Sequence, residues 1–263
     1  MTEHTMELAG GSGSIQYWLE GDGPPLVLVS TLSGTWQMQV RELRKRFTVL
    51  TYDMRGFGRS PSANGLPSNQ QHADDLAALL TAVGCSRARL IGLSHGGLVC
   101  QHFAARYPDR LAGLVLAATF ARARGSTRLF LRMLHGFLER DDVPHFWEVL
   151  KSFLFSEANA DRILRREGLL RRAMFDQYDA ACLRSIYGQA IEHDSSAWLG
   201  AVRCPTLVVG GAEDMLFPPP LSQELSALVA GSKLVLLPAA HVPPVEVPRQ
   251  FNETIADFFG RAP

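Results

Sequence analysis

Apolar positions along the chain fall into two alternating rhythms. Leu26-Val27-Leu28-Val29, Phe47-Thr48-Val49-Leu50, Leu90-Ile91-Gly92-Leu93, Leu111 to Leu116, Thr206 to Val209 and Leu234 to Leu237 are short runs rich in β-branched or apolar residues. Each is bounded by turn residues, so each predicts a strand, and Leu26 to Val29 and Leu90 to Leu93 predict strands buried within the sheet. Ile15 to Leu19 alternates weakly and predicts an edge strand, closed by Gly21-Asp22-Gly23-Pro24-Pro25. Between the runs the period changes to that of a helix. Trp36, Val40 and Leu43 share one face, as do Ala73, Leu76, Ala77 and Leu80 within a helix predicted over Asn69 to Val83, with Gly84 beyond its end. Pro220 to Val229 predicts another helix, and Phe251, Ile255, Phe258 and Phe259 mark the last. Strands alternating with helices predict an α/β fold with a mostly parallel sheet covered on both faces.

From Phe120 to about Leu199 the strand runs stop. Helical patterns rich in arginine replace them: Leu129, Met133, Leu134 and Phe137, then Phe146 and Leu150, then Ile163, Leu164 and Leu170. No Gly/Ser linker separates this stretch. It reads as a helical insertion at 120–199 in one domain built from 1–119 and 200–263.

Bulk composition removes some functions. Hydrophobic residues make up 46% and charged residues 20% of 263 residues, values ordinary for a soluble globular domain. Lysine plus arginine (26) balance aspartate plus glutamate (26), so no electrostatic case exists for nucleic acid or an anionic membrane. No apolar run is long enough to span a bilayer. Met1 to Ser14 is polar and acidic, without the apolar core of a signal peptide. Cys85, Cys100, Cys182 and Cys204 are scattered and read as free buried thiols, which suits a reducing cytoplasm.

The candidate chemistry starts at Gly92-Leu93-Ser94-His95-Gly96, a G-x-S-x-G pentapeptide between a predicted strand and a predicted helix. That turn presents a serine hydroxyl at the end of a sheet. A hydroxyl becomes a nucleophile only when a base takes its proton, and the base needs an orienting acid. Both partners are expected just beyond later strands. Gly210-Gly211-Ala212-Glu213-Asp214 offers Asp214, with Glu213 open as the alternative, and Pro238-Ala239-Ala240-His241 offers His241. The backbone N–H of His95 is one expected oxyanion donor, and the N–H of Leu32 is the second. The His95 side chain is left open between lining a pocket and plain packing. The remaining histidines, among them His72, His102, His135, His145 and His193, do not follow a core strand.

On these residues the chain resembles the α/β-hydrolase superfamily. The matching landmarks are Asp53-Met54-Arg55-Gly56-Phe57-Gly58-Arg59-Ser60, Gly92 to Gly97, Gly211-Ala212-Glu213-Asp214, and His241 followed by Glu246-Val247-Pro248. The resemblance implies an eight-stranded sheet with a helical cap between strands six and seven, and it favours Asp214 over Glu213. Many relatives carry His-Gly after the third strand. Here Ser30-Thr31-Leu32-Ser33-Gly34-Thr35 resembles the Ser-Asn-Ser-Leu-Gly-Thr loop of 3-oxoadipate enol-lactonases, which raises lactones as substrates.

The expected activity is a cofactor-free serine hydrolase acting on a small-molecule ester, lactone or thioester, with a carrier-bound acyl group as a variant of the partner. A carbon–carbon bond hydrolase or lyase using the same triad is the alternative within enzymes, and a small-molecule receptor the alternative outside them. Ser94 excludes an aspartate nucleophile. Asp53 to Ser60 lacks both nucleotide-loop patterns. No residue set has convincing metal-ligand spacing. Arg122, Arg124, Arg128, Arg165, Arg166, Arg171 and Arg172 read as a solvated face, or as binders of a substrate carboxylate or phosphopantetheine. Phe130, Phe137 and Phe146 read as core, or as pocket lining.

Overall fold

A computed structural model describes residues 2–165, 168 and 180–260. Eight strands form a single sheet: β1 (Thr2–Glu7), β2 (Ser14–Glu20), β3 (Pro25–Val29), β4 (Thr48–Tyr52), β5 (Ala88–Leu93), β6 (Leu111–Ala117), β7 (Thr206–Gly211) and β8 (Lys233–Leu237). Their spatial order is β1-β2-β4-β3-β5-β6-β7-β8. β1 and β2 run antiparallel to their neighbours, and β3 to β8 are parallel.

In the central strands the apolar runs are continuous because both faces are covered, whereas β8, at the far edge, is half-buried or exposed from Lys233 to Leu236. In β3, Val27 and Val29 join one core with Leu76, Leu80 and Phe103, while Leu26 and Leu28 join the other with Trp36, Leu43 and Phe251. Successive strand side chains point to opposite faces, so both alternating sets of positions in β3 are apolar. Helix α1 (Gln37–Leu43) and the Pro248–Gly260 helix cover one face, with the Trp36 and Phe251 ring centroids 6.4 Å apart. Helices α2 (Asn69–Ala82) and α3 (His95–Arg106) cover the other. Ser68 caps α2 through a capping box with Gln71, and Gly84 (φ 70°) turns the chain away after it.

Two expectations need correction. Ile15 to Leu19 is not an edge strand: it lies within β2, and Thr2–Glu7 pairs outside it, with Thr2 opposite Leu19 and Glu7 opposite Ser14. β1 is polar along its length because it is an exposed edge, where charge discourages pairing with another chain. In the Gly125–Glu139 helix, Leu129 (68% exposed) and Met133 (44%) face outward, while Thr127, Leu131, Leu134 and Leu138 form the buried stripe.

Helices Gly125–Glu139, Val143–Leu154, Glu157–Leu164 and Ala180–Glu192 lie between β6 and β7. They share an apolar cluster with Phe120, Leu216, Phe217 and Val242, which binds them over the carboxyl end of the sheet. Leu170, Arg166, Arg171 and Arg172 lie outside the described residues. Among the described residues no helix is long and apolar enough to cross a membrane, and no disulfide joins the four cysteines, of which Cys100 and Cys182 are buried and Cys85 and Cys204 only partly so.

Candidate active site

β5 delivers Ser94 at its carboxyl end with φ 53° and ψ −116°, a left-handed conformation that costs a non-glycine residue energy. Close packing holds it there. A Cβ at Gly96 would lie 2.1 Å from the Val29 carbonyl oxygen, and one at Gly92 would lie 2.6 Å from that of Gly96. Only glycine allows β3, β5 and α3 to approach this far. The Ser94 N–H donates to the Ala117 carbonyl at 2.9 Å, which ties the turn to β6.

The three residues expected to act together meet. Ser94 Oγ lies 3.0 Å from His241 Nε2, and His241 Nδ1 lies 3.0 Å from Asp214 Oδ2. A carboxylate only accepts, so Nδ1 carries the imidazole proton and Nε2 offers its lone pair to the serine hydroxyl. Asp214 is 2% exposed, and its other oxygen accepts the N–H groups of Leu216 (2.9 Å) and Phe217 (2.8 Å). Glu213 is exposed and its N–H donates to Ala239 O, so the alternative acid points away. The Phe217 ring stands edge-on to the His241 imidazole with centroids 4.7 Å apart.

His95 follows Ser94 at the start of α3, and Leu32 lies in the loop after β3. Leu32 sits in a loop whose shape is set by its neighbours: Ser30 Oγ donates to Leu32 O at 2.7 Å, and Met54 N–H donates to Thr31 O at 3.0 Å. Asp53 supplies the stiffest brace. Its Oδ1 accepts the N–H and Oγ–H of Ser33 at 2.8 and 2.7 Å, and its Oδ2 accepts the Arg59 N–H at 3.1 Å. The Asp53 to Ser60 turn therefore organises the Ser30 to Thr35 loop. It is anchored to α2 by a buried two-point ion pair of Arg55 with Asp75, at 2.9 and 3.1 Å. Residue patterns showed the motif but not this bracing role, which depends on β3 and β4 being neighbours.

The His95 side chain resolves toward the interior. It is 7% exposed, stands edge-on to His72 at 6.1 Å, and neither ring nitrogen has a partner. Burial lowers its pKa to about 4, so the ring is neutral near pH 7.

A cavity of about 130 Å³ opens over Ser94. Ser30, Thr31, Thr35, Ser94, His95 and His241 form its polar floor. Leu131, Leu150, Leu154, Leu183, Ile186, Tyr187 and Ala190 from the overlying helices form its walls, joined by Leu216, Phe217 and Val242. The expected aromatics are not in the lining. Phe146 is fully buried against Tyr187 (5.1 Å), Phe130 packs on Phe153 (4.5 Å), and Phe137 stacks on His145 (6.3 Å). The described arginines are also absent from it. Arg122 and Arg124 both bind Glu224 (3.0 and 2.8 Å), Arg128 reaches Glu192 (3.5 Å), and Arg165 is exposed. Among the described residues no group of three or more His, Cys, Asp or Glu side chains is placed to hold a metal ion.

A family model for the alpha/beta hydrolase fold matches residues 24–247, most of the chain and every site residue above. The chain belongs to the α/β-hydrolase family. This α/β-hydrolase is 32% identical over 250 residues to a protein of Variovorax paradoxus (strain S110) that bears the name carbamate hydrolase RutD, covering 91% of this chain and 93% of that one. It is 29% identical over 253 residues to a pimeloyl-[acyl-carrier protein] methyl ester esterase of Chromobacterium violaceum, covering 90% and 94%. Among solved structures, the enol-lactonase from Burkholderia xenovorans LB400 superposes with a TM-score of 0.88 at 25% identity, covering 98% of this chain and 100% of that chain. The α/β-hydrolase is thus an enzyme of the hydrolase type.

Proposed function

We propose that this α/β-hydrolase cleaves a small-molecule ester, lactone or thioester through an acyl-enzyme on Ser94. The observation that carries the reading is the pair of 3.0 Å contacts linking Ser94, His241 and Asp214 in the order a relay requires. Ser94 Oγ attacks the carbonyl carbon while its proton passes to His241 Nε2. Asp214 holds the imidazole in the tautomer that can accept that proton and stabilises the imidazolium. The N–H groups of Leu32 and His95 receive the developing oxyanion. As the tetrahedral species collapses, the carbonyl–heteroatom bond breaks and Nε2 returns the proton to the leaving oxygen or sulfur. Water enters next, gives a proton to Nε2 and attacks the acyl-enzyme; as that tetrahedral species collapses, the bond to Oγ breaks, Nε2 returns the proton to Ser94 Oγ and the acid departs.

The cavity supports a choice within that class. Its walls are mostly aliphatic, with the Tyr187 and Phe217 rings among them and polar groups gathered at Ser94, so the acyl part of the substrate is uncharged and apolar. A cavity of about 150 Å³ lined by such side chains takes up benzene, which sets the scale here at roughly six carbon atoms. Residues 120–199 act as the cap that closes over that group and excludes water. Four cysteines with no disulfide among them suit a reducing compartment.

The test is a fluorophosphonate probe with mass mapping, followed by an ester panel of graded chain length. Labelling at Ser94, lost in Ser94→Ala together with turnover, is expected. Undiminished turnover by Ser94→Ala ends the acyl-enzyme reading.

A further inference from the structure

The turn that carries His241 is fastened to the connection between two overlying helices. Val143–Leu154 ends and Glu157–Leu164 begins at Phe155-Ser156, and this stretch lies against Ala240-His241. The His241 N–H donates to the Leu154 carbonyl at 3.1 Å. Glu246, five residues past His241 and 3% exposed, completes the link. Its Oε1 accepts the Ala240 N–H at 2.8 Å and its Oε2 accepts the Ser156 N–H at 2.8 Å. Arg162 approaches the same residue but donates to its backbone oxygen, at 3.0 Å, not to the carboxylate.

A carboxylate is among the costliest groups to remove from water. Both oxygens of this one are committed to peptide N–H donors, one beside the base and one in the cap. Leu154, whose carbonyl receives the His241 N–H, also lines the cavity. An acyl group seated against Leu154 therefore bears on the segment that holds the base.

Resting on the reading that His241 is the general base, we infer that Glu246 is a positioning residue that couples seating of the cap to placement of the His241 imidazole. With the cap seated, Glu246 and Leu154 fix the backbone at 240–241, and the ring keeps both of its 3.0 Å contacts. With either half of the tether cut, the ring drifts from Ser94 and the proton transfer slows, while the acyl cavity is unchanged.

Two substitutions cut different halves. Glu246→Gln leaves one acceptor oxygen for two N–H donors. Ser156→Pro removes the cap-side donor, and the backbone already permits proline: Ser156 has φ −67°, and the preceding Phe155 is extended at φ −124°, ψ 143°. Each variant is expected to lower kcat and the rate of fluorophosphonate labelling about tenfold, with KM within about twofold, because displacement of a catalytic group by an ångström or less has effects of this size. The double variant is expected to be no slower than the slower single, since the two changes break one link. A merely structural role would lower the melting temperature and the folded fraction and leave the labelling rate per folded molecule unchanged. That result overturns the inference, as does additivity in the double variant. If Glu246→Gln fails to fold, Ser156→Pro alone decides, by the same labelling rate. Absence of labelling in the unaltered enzyme would instead overturn the serine mechanism itself.

Discussion

Asp214 and His241 meet through a single contact, Oδ2 to Nδ1 at 3.0 Å, while the other oxygen of Asp214 is held by the N–H groups of Leu216 and Phe217. The carboxylate thus cannot turn away from the imidazole without losing two further hydrogen bonds. The loops bearing the two residues are joined as well: Ala212 N–H reaches Leu237 O, and a Cβ at Gly211 would lie 1.9 Å from the Ala240 carbonyl oxygen. Placement of the acid is a property of the β7 and β8 ends together.

This fixes the expected effect of removing its charge. Asp214→Asn puts an amide where the carboxylate was and favours the imidazole tautomer with its proton on the wrong nitrogen. The kcat is expected to fall by about ten-thousandfold with the fold retained. Glu213→Gln, one residue earlier and exposed, is expected to stay within about twofold. Steady-state kinetics with circular dichroism on both variants checks this. The reverse ranking would reassign the acid to Glu213.

A second prediction concerns the brace under the oxyanion loop. Asp53→Asn leaves one acceptor oxygen for donors that now occupy two, namely the Ser33 N–H and hydroxyl and the Arg59 N–H. The Ser30 to Thr35 loop then loses its fixed shape, and the Leu32 N–H its aim. The expected result is a fall in kcat of roughly a hundredfold, the scale of losing one oxyanion donor, with KM little changed. A rise in KM alone would show that the loop acts in binding and not on the transition state.

The sheet and the meeting of Ser94, Asp214 and His241 were readable from residues because each depends on a local pattern. Val27 and Leu28 face different cores, so apolar residues run without a break, and glycine is required at Gly92 and Gly96 by backbone contact. β1 escaped notice because an exposed edge strand carries polar residues whatever its pairing, and only Met6 among its apolar candidates turns partly inward. The cap was harder for a different reason. Leu129 and Leu131 are equally apolar, and which of them lies in the cavity wall depends on how its helix is rotated against the Ala180–Glu192 helix. Phe146 fills space between helices and stops short of the cavity, a distinction set by tertiary packing. Glu246 was visible as part of a motif, but its two N–H partners are 90 and 6 residues away in sequence.

A third prediction uses that corrected lining. Ala190 lines the cavity and is 6% exposed. Ala190→Leu projects three further carbons into a space on the scale of one six-carbon group. Relative to acetate, kcat/KM for hexanoate and longer esters is expected to fall about tenfold to a hundredfold, the usual range for a misfit of this size. Phe137→Ala, at a ring stacked on His145 and outside the lining, is expected to leave the chain-length profile unchanged. A p-nitrophenyl ester series measures both. A profile moved by Phe137→Ala and not by Ala190→Leu would put the acyl site elsewhere.

The last prediction follows from histidines buried without charge. Burial lowers the pKa of His95 to about 4 and that of His193 to about 3, from an ordinary 6.5. The unfolded chain therefore binds protons between pH 6.5 and about 4 that the folded chain does not take up. Stability contributed by the neutral rings is fully present above pH 6.5 and declines as pH falls through that window, by up to about 1.4 kcal/mol per pH unit for each ring. His193 has a partner in Gln101 Oε1 (3.1 Å), whereas both nitrogens of His95 lack one, so replacing His95 costs no hydrogen bond. His95→Phe keeps an aromatic ring against His72 and removes one titrating group. Guanidinium unfolding at pH 7 and pH 5 is expected to show a smaller loss of stability on acidification for His95→Phe than for the unaltered enzyme. An equal loss in both would mean that His95 takes up its proton while the protein remains folded, and that its ring is not buried as a neutral group.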